Sequence, residues 1–223
     1  RDGTQWTEQA TLTVTPDDRS TGYAHAVAIS GTTAVVGAWQ INSAGDGAGA
    51  AYVYQRAEGA WTEQAKLIPA DGAAFDRFGS AVAISSEHAL VGSPDDDDVA
   101  DRSGSAYVFV RTGTDWSQQA KLTAADAGRW DRYGAAVGLS GTTALVGSGL
   151  DDDLGTDSGS AYVYRLQGDA WVEQEKLTDP GLSSEDWFGH AVAISDEFYL
   201  VGAPGDNGVG FYSGVSYFLR RTP

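Results

Sequence analysis

The chain has 223 residues and a mass of 23.3 kDa, carries no cysteine or methionine, and combines 14 basic with 31 acidic residues for a net charge of −17. Without cysteine it has no disulfide, no thiolate metal site and no cysteine nucleophile. Such an acidic balance excludes the basic footprint that nucleic acid and anionic membranes require, and no apolar run reaches the roughly 18 residues of a membrane helix.

One unit recurs along the chain. Trp6, Trp61, Trp116 and Trp171 stand 55 residues apart, as do Val27, Val82, Val137 and Val192, Gly37, Gly92, Gly147 and Gly202, and Tyr52, Tyr107, Tyr162 and Tyr217. The strand "SGSAYVF" at Ser103–Phe109 returns as "SGSAYVY" at Ser158–Tyr164, with weaker copies at Ala48–Tyr54 and Ser213–Leu219. Four gapless copies predict one repeat array rather than separate domains, so residues 1–223 are read as a single domain. The lack of a leader-like stretch leads us to expect a trimmed mature segment.

The opening Trp6–Thr13 belongs to the Trp slot. In the second copy that slot, "WTEQAKL" at Trp61–Leu67, alternates Trp61, Glu63, Ala65 and Leu67 against Thr62, Gln64 and Lys66, the period of a half-exposed strand. Next comes "SAVAIS" at Ser80–Ser85, short and nearly all apolar, as a buried strand should be. A two-residue turn leads to "HALVGS" at His88–Ser93, and "SAYVFV" at Ser105–Val110 is rich in β-formers. Each unit therefore predicts a four-stranded antiparallel meander, and radial repetition of such meanders makes propeller blades. The fold expected is all-β, a four-bladed β-propeller of four-stranded antiparallel blades. The chain opens on a Trp strand and holds three further strands in its last copy, so the N-terminal strand is expected to close the last blade and cover its edge. A monomer is expected, with an eight-bladed ring of two chains as the alternative.

The unit carries "RFGSAV…LVGSP" (Arg77–Pro94) and "WFGHAV…LVGAP" (Trp187–Pro204). On these motifs the chain resembles the FG-GAP repeat of integrin α-subunit propellers and of bacterial and archaeal surface proteins. Phe-Gly stands at Phe78-Gly79 and Phe188-Gly189, becomes Tyr133-Gly134 and decays to Tyr23-Ala24, while Gly-Ala-Pro is intact at Gly202-Ala203-Pro204. The resemblance implies an extracellular, secreted or cell-surface recognition or adhesion module. Integrin-type repeats carry a calcium loop between the FG and GAP strands; here that connection is a two-residue turn, so that metal site is absent.

Acidic loops lie instead between the GAP strand and the Tyr strand. "DDDLGTDSG" (Asp151–Gly159) offers Asp151, Asp153 and Asp157 with the Gly155 carbonyl, and "DDDDVADRSG" (Asp95–Gly104) offers Asp95, Asp97 and Asp101. Carboxylates at alternating positions of a tight loop suit a hard cation, so Ca²⁺ is the cofactor expected here. The first and fourth loops keep Asp46 and Asp206 alone and are not expected to bind an ion. The loops after the GAP strand and those entering the FG strand emerge on one face. That face carries the residues that differ between copies: Trp39, Phe75, Trp130, Trp187, Phe211 and Tyr212, with Arg19, Arg77, Arg129 and Arg132. Aromatic rings beside arginines suit a rim that binds protein or carbohydrate. His25 and His190 share one repeat slot, and their approach near a channel mouth is a lesser candidate for a metal or acid–base pair. No nucleophile elbow, zinc-histidine motif or phosphate loop occurs, so no enzyme is expected. A purely structural repeat domain, or a hydrolase, is the alternative.

Overall fold

The structure, a computed structural model, describes residues 6–14, 22–208, 210 and 212–220. Among these, fifteen strands form four antiparallel sheets and no helix occurs. The first sheet is β1 (Tyr23–Ser30), β2 (Thr33–Ala38), β3 (Ala50–Ala57) and β4 (Ala60–Leu67); the second is β5 (Ala81–Ser85), β6 (His88–Ser93), β7 (Ser105–Thr112) and β8 (Asp115–Leu122). The third is β9 (Ala136–Ser140), β10 (Thr143–Ser148), β11 (Ser160–Gln167) and β12 (Ala170–Leu177), and the fourth is β13 (Ala191–Ile194), β14 (Phe198–Ala203) and β15 (Val215–Arg220). Strand order within each sheet follows chain order, so every sheet is the meander expected of a propeller blade.

The innermost strands pack in sequence, β1 on β5, β5 on β9 and β9 on β13. Hydrophobic cores lie between successive blades: Val35 and Val53 meet Phe78, Val91 and Tyr107, Val108 meets Tyr133 and Val146, and Val163 meets Phe188 and Val201. This explains why β2, β6 and β10 read as apolar runs, since both of their faces are covered.

The invariant slots acquire distinct physical causes. Phe78, Tyr133 and Phe188 meet Tyr107, Tyr162 and Tyr217 of their own blades edge-on, with centroids 5.5, 5.2 and 5.1 Å apart. That arrangement suits the ring quadrupoles. A Cβ at Gly37, Gly92 or Gly147 would lie 2.0, 1.9 or 2.0 Å from the carbonyl oxygen of Gly79, Gly134 or Gly189 in the next blade, so any side chain there forces the blades apart. At Gly202 the nearest atom would be 3.6 Å away and belongs to Ala191 of the same blade, with no neighbouring-blade carbonyl against it among the described residues. The Trp slot is tied through a β-bulge. Register shifts in β4 and β8 set Gln64 and Gln119 out of the ladder. Their amides accept hydrogen bonds from the indole Nε1 of Trp116 (2.9 Å) and Trp171 (2.8 Å) one blade on.

Residues 6–14 form no strand, and the ladder expected to close the last blade is not among those of the described residues; β15 is the edge of a three-stranded sheet. The segment nevertheless occupies the position that an outer strand takes on the following blade. The Tyr54 hydroxyl donates to the Thr13 carbonyl at 3.4 Å, as Tyr164 does to Thr123 at 3.2 Å. Leu12 and Val14 pack on the core of the first blade. At the two ends of the array, Val27 and Ile29 on β1 and Phe218 on β15 are about two-thirds exposed. Trp6 is largely exposed, whereas Trp171 is buried.

Candidate functional site

Two lysine-centred acidic clusters form between the GAP and Tyr strands. In the third blade, Lys176 of β12 places its ammonium 2.6 Å from Asp126 Oδ2 and 2.9 Å from Asp151 Oδ2, and also bonds Asp153. The carboxylate oxygens of these three aspartates lie within 4.8 Å of one another. In the second blade Lys121 meets Asp71 (2.9 Å), Asp96 (3.0 Å) and Asp98 (2.5 Å), one repeat earlier at every position. Asp96 and Asp151 are buried, and each accepts the hydroxyl of its blade's invariant tyrosine: Tyr107 to Asp96 at 2.7 Å, Tyr162 to Asp151 at 2.9 Å. Desolvation opposes charge on both lysines, but the surrounding carboxylates outweigh it and raise their pKa values. Burial likewise pushes Asp71 and Asp126 up, and the bonds from Lys121 and Lys176 overcome it, leaving both below the ordinary carboxylate value.

The expected calcium sets are therefore redistributed. Asp151 and Asp153 do converge, but their third partner is Asp126 from the loop after β8. Asp157 turns away, its amide donating to Asp152 Oδ1 at 2.7 Å, and the Gly155 carbonyl accepts the Ser158 amide at 3.0 Å. Asp95, Asp97 and Asp101 do not assemble: Asp95 pairs with Arg77 and Arg132, Asp101 with Arg129, and Asp97 is exposed. The cluster in that loop is built by Asp96 and Asp98, which hold the repeat register of Asp151 and Asp153. Ca²⁺ prefers six to eight oxygens, whereas each cluster gathers three carboxylates already bonded to an ammonium. With the lysine seated, the donor set does not fit a calcium ion. In the other blades the cluster is dismantled: the slot of Asp96 and Asp151 holds buried Ile41, or Asp206 bonded to Tyr217 at 2.6 Å.

The second grouping is the loop face leading into the FG strands. Phe75 and Arg77, Trp130 and Arg132, and Glu185 and Trp187 all adopt left-handed φ values between 50° and 72°. Non-glycine residues, aromatic ones above all, enter this region at a cost. Between each pair a buried aspartate (Asp76, Asp131 or Asp186) anchors the loop, accepting the amide of Ala73 (2.6 Å), Gly128 (2.6 Å) or Ser183 (2.5 Å). Burial raises the Asp76 and Asp131 carboxyls to about 6 against the pull of these amides, and neighbouring aspartates push the same way.

This loop geometry turns large side chains outward. Phe75 is 66% and Trp130 43% exposed. Arg102 lies over the Trp130 ring at 4.3 Å and Arg77 over Trp39 at 4.8 Å, while Trp187 and Tyr212 are tilted neighbours at 6.1 Å. Phe211 and Arg19 lie outside the described residues. His25 sits beside Trp39 at 5.6 Å, and neither it nor His190 belongs to a metal-ligand grouping among the described residues. The signal that could have found the true acidic partners is the 55-residue interval itself: Asp71 and Asp126, Asp96 and Asp151, and Asp98 and Asp153 each keep it.

Four consecutive antiparallel meanders, packed through their innermost strands and locked by glycines at each junction, define a β-propeller repeat protein. The profile of the FG-GAP repeat matches residues 6–54, 61–109, 116–164 and 171–219, and the chain belongs to that family. Each match begins on the Trp slot and ends on the Tyr strand, so the sequence repeat is offset by one strand from the blade. No curated protein matches the chain. No helix among the described residues is long and apolar enough to cross a membrane.

Proposed function

We propose that the protein is a non-enzymatic recognition module, acting outside the cell in a secreted or surface protein and binding a protein or carbohydrate ligand through the face that carries Phe75, Trp130, Trp187 and Tyr212. The observation that carries this reading is the retention of Phe75, Trp130 and Tyr212 at exposed left-handed positions, with Trp187 partly exposed beside them. Packing does not explain them: Phe75 and Trp130 contribute to no core cluster, and the corresponding residues differ among the copies. Exposed rings with few rotatable bonds are what binding hot spots use. FG-GAP membership supports the extracellular setting. Calcium enters the reading as a competitor: an ion at Asp126, Asp151 and Asp153 has to displace the Lys176 ammonium, so it binds weakly.

The test is a glycan array and a surface-protein pull-down with the parent and with Trp130→Ala, Trp187→Ala and Trp116→Ala variants, each melted thermally. Loss of binding in the first two with melting preserved is expected, at about 2 kcal/mol or more for a true anchor. If they unfold as readily as Trp116→Ala, the rings are structural and the reading fails.

A further inference from the structure

On this acidic face two guanidinium groups share a single carboxylate. Arg77 and Arg132 occupy the same slot of successive blades and straddle one carboxylate: Arg77 Nε lies 2.9 Å from Asp95 Oδ2 and Arg132 Nε 3.3 Å from Asp95 Oδ1. The Asp95 side chain is only 4% exposed, whereas those of Arg77 and Arg132 are 40% and 35% exposed. Asp95 Oδ1 and Arg132 Nε are buried without an aligned hydrogen bond. One buried carboxylate thus faces two guanidinium ions and leaves one positive charge uncompensated. Among the described residues, neither guanidinium has another ion pair or hydrogen bond, whereas Arg111 is held by Glu87 and Arg129 by Asp101.

The blade does not require this arrangement. The slot of the two arginines holds Gly22 in the first copy and Trp187 in the fourth, and the slot of Asp95 holds Gln40, Leu150 and Gly205. Gly22 takes the left-handed backbone freely, at φ 89°, while Arg77 and Arg132 hold φ values of 60° and 52°. Trp39 beneath Arg77 orients its guanidinium plane. With Nε committed inward, the terminal amino groups are left to form a planar fork, the geometry that matches a carboxylate.

We propose that Arg77 and Arg132 bind the carboxylate of a uronic-acid sugar, Asp95 holding the two guanidinium groups in place. This rests on the recognition reading above and specifies its ligand. A glycan with one carboxylate is favoured over an acidic polypeptide because the two guanidinium groups lie among many carboxylates of a chain of net charge −17. They accept one anionic group, whereas a surface dense in carboxylates or sulfates is repelled. Exposed acids on the same loop, such as Asp97, are acceptors suited to sugar hydroxyls.

The test titrates the intact protein calorimetrically with a trisaccharide bearing a single terminal uronic acid, the matching neutral trimer, a heavily sulfated oligosaccharide and an acidic peptide. Binding of the uronate alone is expected, weakened about tenfold or more in Arg132→Gln and Arg77→Gln, since each loses a charge-assisted bond. Asp95→Asn releases the guanidinium groups from their shared anchor and is expected to weaken uronate binding, the melt of the same variant showing that the fold is kept. Thermal melting of each variant separates lost binding from lost fold. Equal affinity for uronate and neutral trimer, unchanged affinity in Arg132→Gln, preference for the peptide, or no uronate binding overturns the proposal. The wider recognition reading is then judged separately, by whether Trp130→Ala and Trp187→Ala abolish capture of a protein or neutral glycan.

Discussion

Replacing Lys176 by methionine removes one positive charge from among three carboxylates while keeping the length of the side chain. The Lys176 side chain is 19% exposed, and the Asp151 side chain that it contacts is 4% exposed. Breaking a buried pair by deleting one partner costs about 3–5 kcal/mol, because the remaining charge stays desolvated. Two further carboxylates within reach add repulsion, while the exposure of Asp126 and Asp153 moderates it. For a chain of this size each kcal/mol shifts the melting temperature by roughly 2–4 °C, so a fall of about 6–20 °C is expected near pH 7.5. The pH dependence follows from the sign of each shift. In the parent, Asp126 has a folded pKa below its unfolded one, so its contribution is present above the unfolded value and is lost as pH falls through the folded value. In the variant, Asp126 loses the Lys176 bond that opposes its desolvation, so that contribution is missing. The gap between parent and variant should therefore hold from pH 7.5 down to about 4 and narrow as pH falls further, and millimolar calcium should narrow it at pH 7.5 by taking the place of the ammonium. Thermal melts over that pH series, with and without calcium, read all three effects. A gap below about 1 kcal/mol, or one independent of pH, would refute the account of Lys176 as an internal counterion.

The raised carboxyl of Asp131, at about 6, lowers stability as pH climbs from its unfolded value to 6. Asp131→Asn keeps an acceptor for the Gly128 amide and should stabilise by about 1–3 kcal/mol above pH 6, the gain vanishing near pH 4 in urea melts. Gly147→Ala should cost at least about 3 kcal/mol, because its Cβ meets the Gly189 carbonyl, whereas Gly202→Ala should change stability by less than about 1 kcal/mol; equal losses would show that blade contact is not the cause. Trp171→Ala, removing an indole that is 8% exposed, should cost about 3–5 kcal/mol and half-buried Trp116→Ala less, with Trp130→Ala nearly neutral. Deletion of residues 1–14 should uncover Tyr54 and the first-blade core and promote aggregation, read by light scattering. A native mass of twice 23.3 kDa for the parent would instead support the two-chain ring.

By itself the sequence determined the blade. A 55-residue interval shared by Trp116, Val137, Gly147 and Tyr162 with their counterparts, together with alternation in Trp61–Leu67 and apolar runs at the GAP strands, leaves an antiparallel meander as the structure that satisfies every copy. The invariant glycines and tyrosines could be recognised as structural because each copy repeats them, although the carbonyl against Gly147 and the ring against Tyr162 became visible only once the blades were packed. The partners of the acidic residues were decided by tertiary structure. Asp95 and Asp96 are adjacent in the chain, yet one faces two arginines and the other a lysine and a tyrosine, because successive side chains along a tight loop point in unrelated directions. Asp126 joins Asp151 from a loop 25 residues away, brought there when β8 and β11 settle in neighbouring blades. Spacing within one loop could not report that convergence, since charges are paired by distance in space, and distance in space is set by how the blades stack.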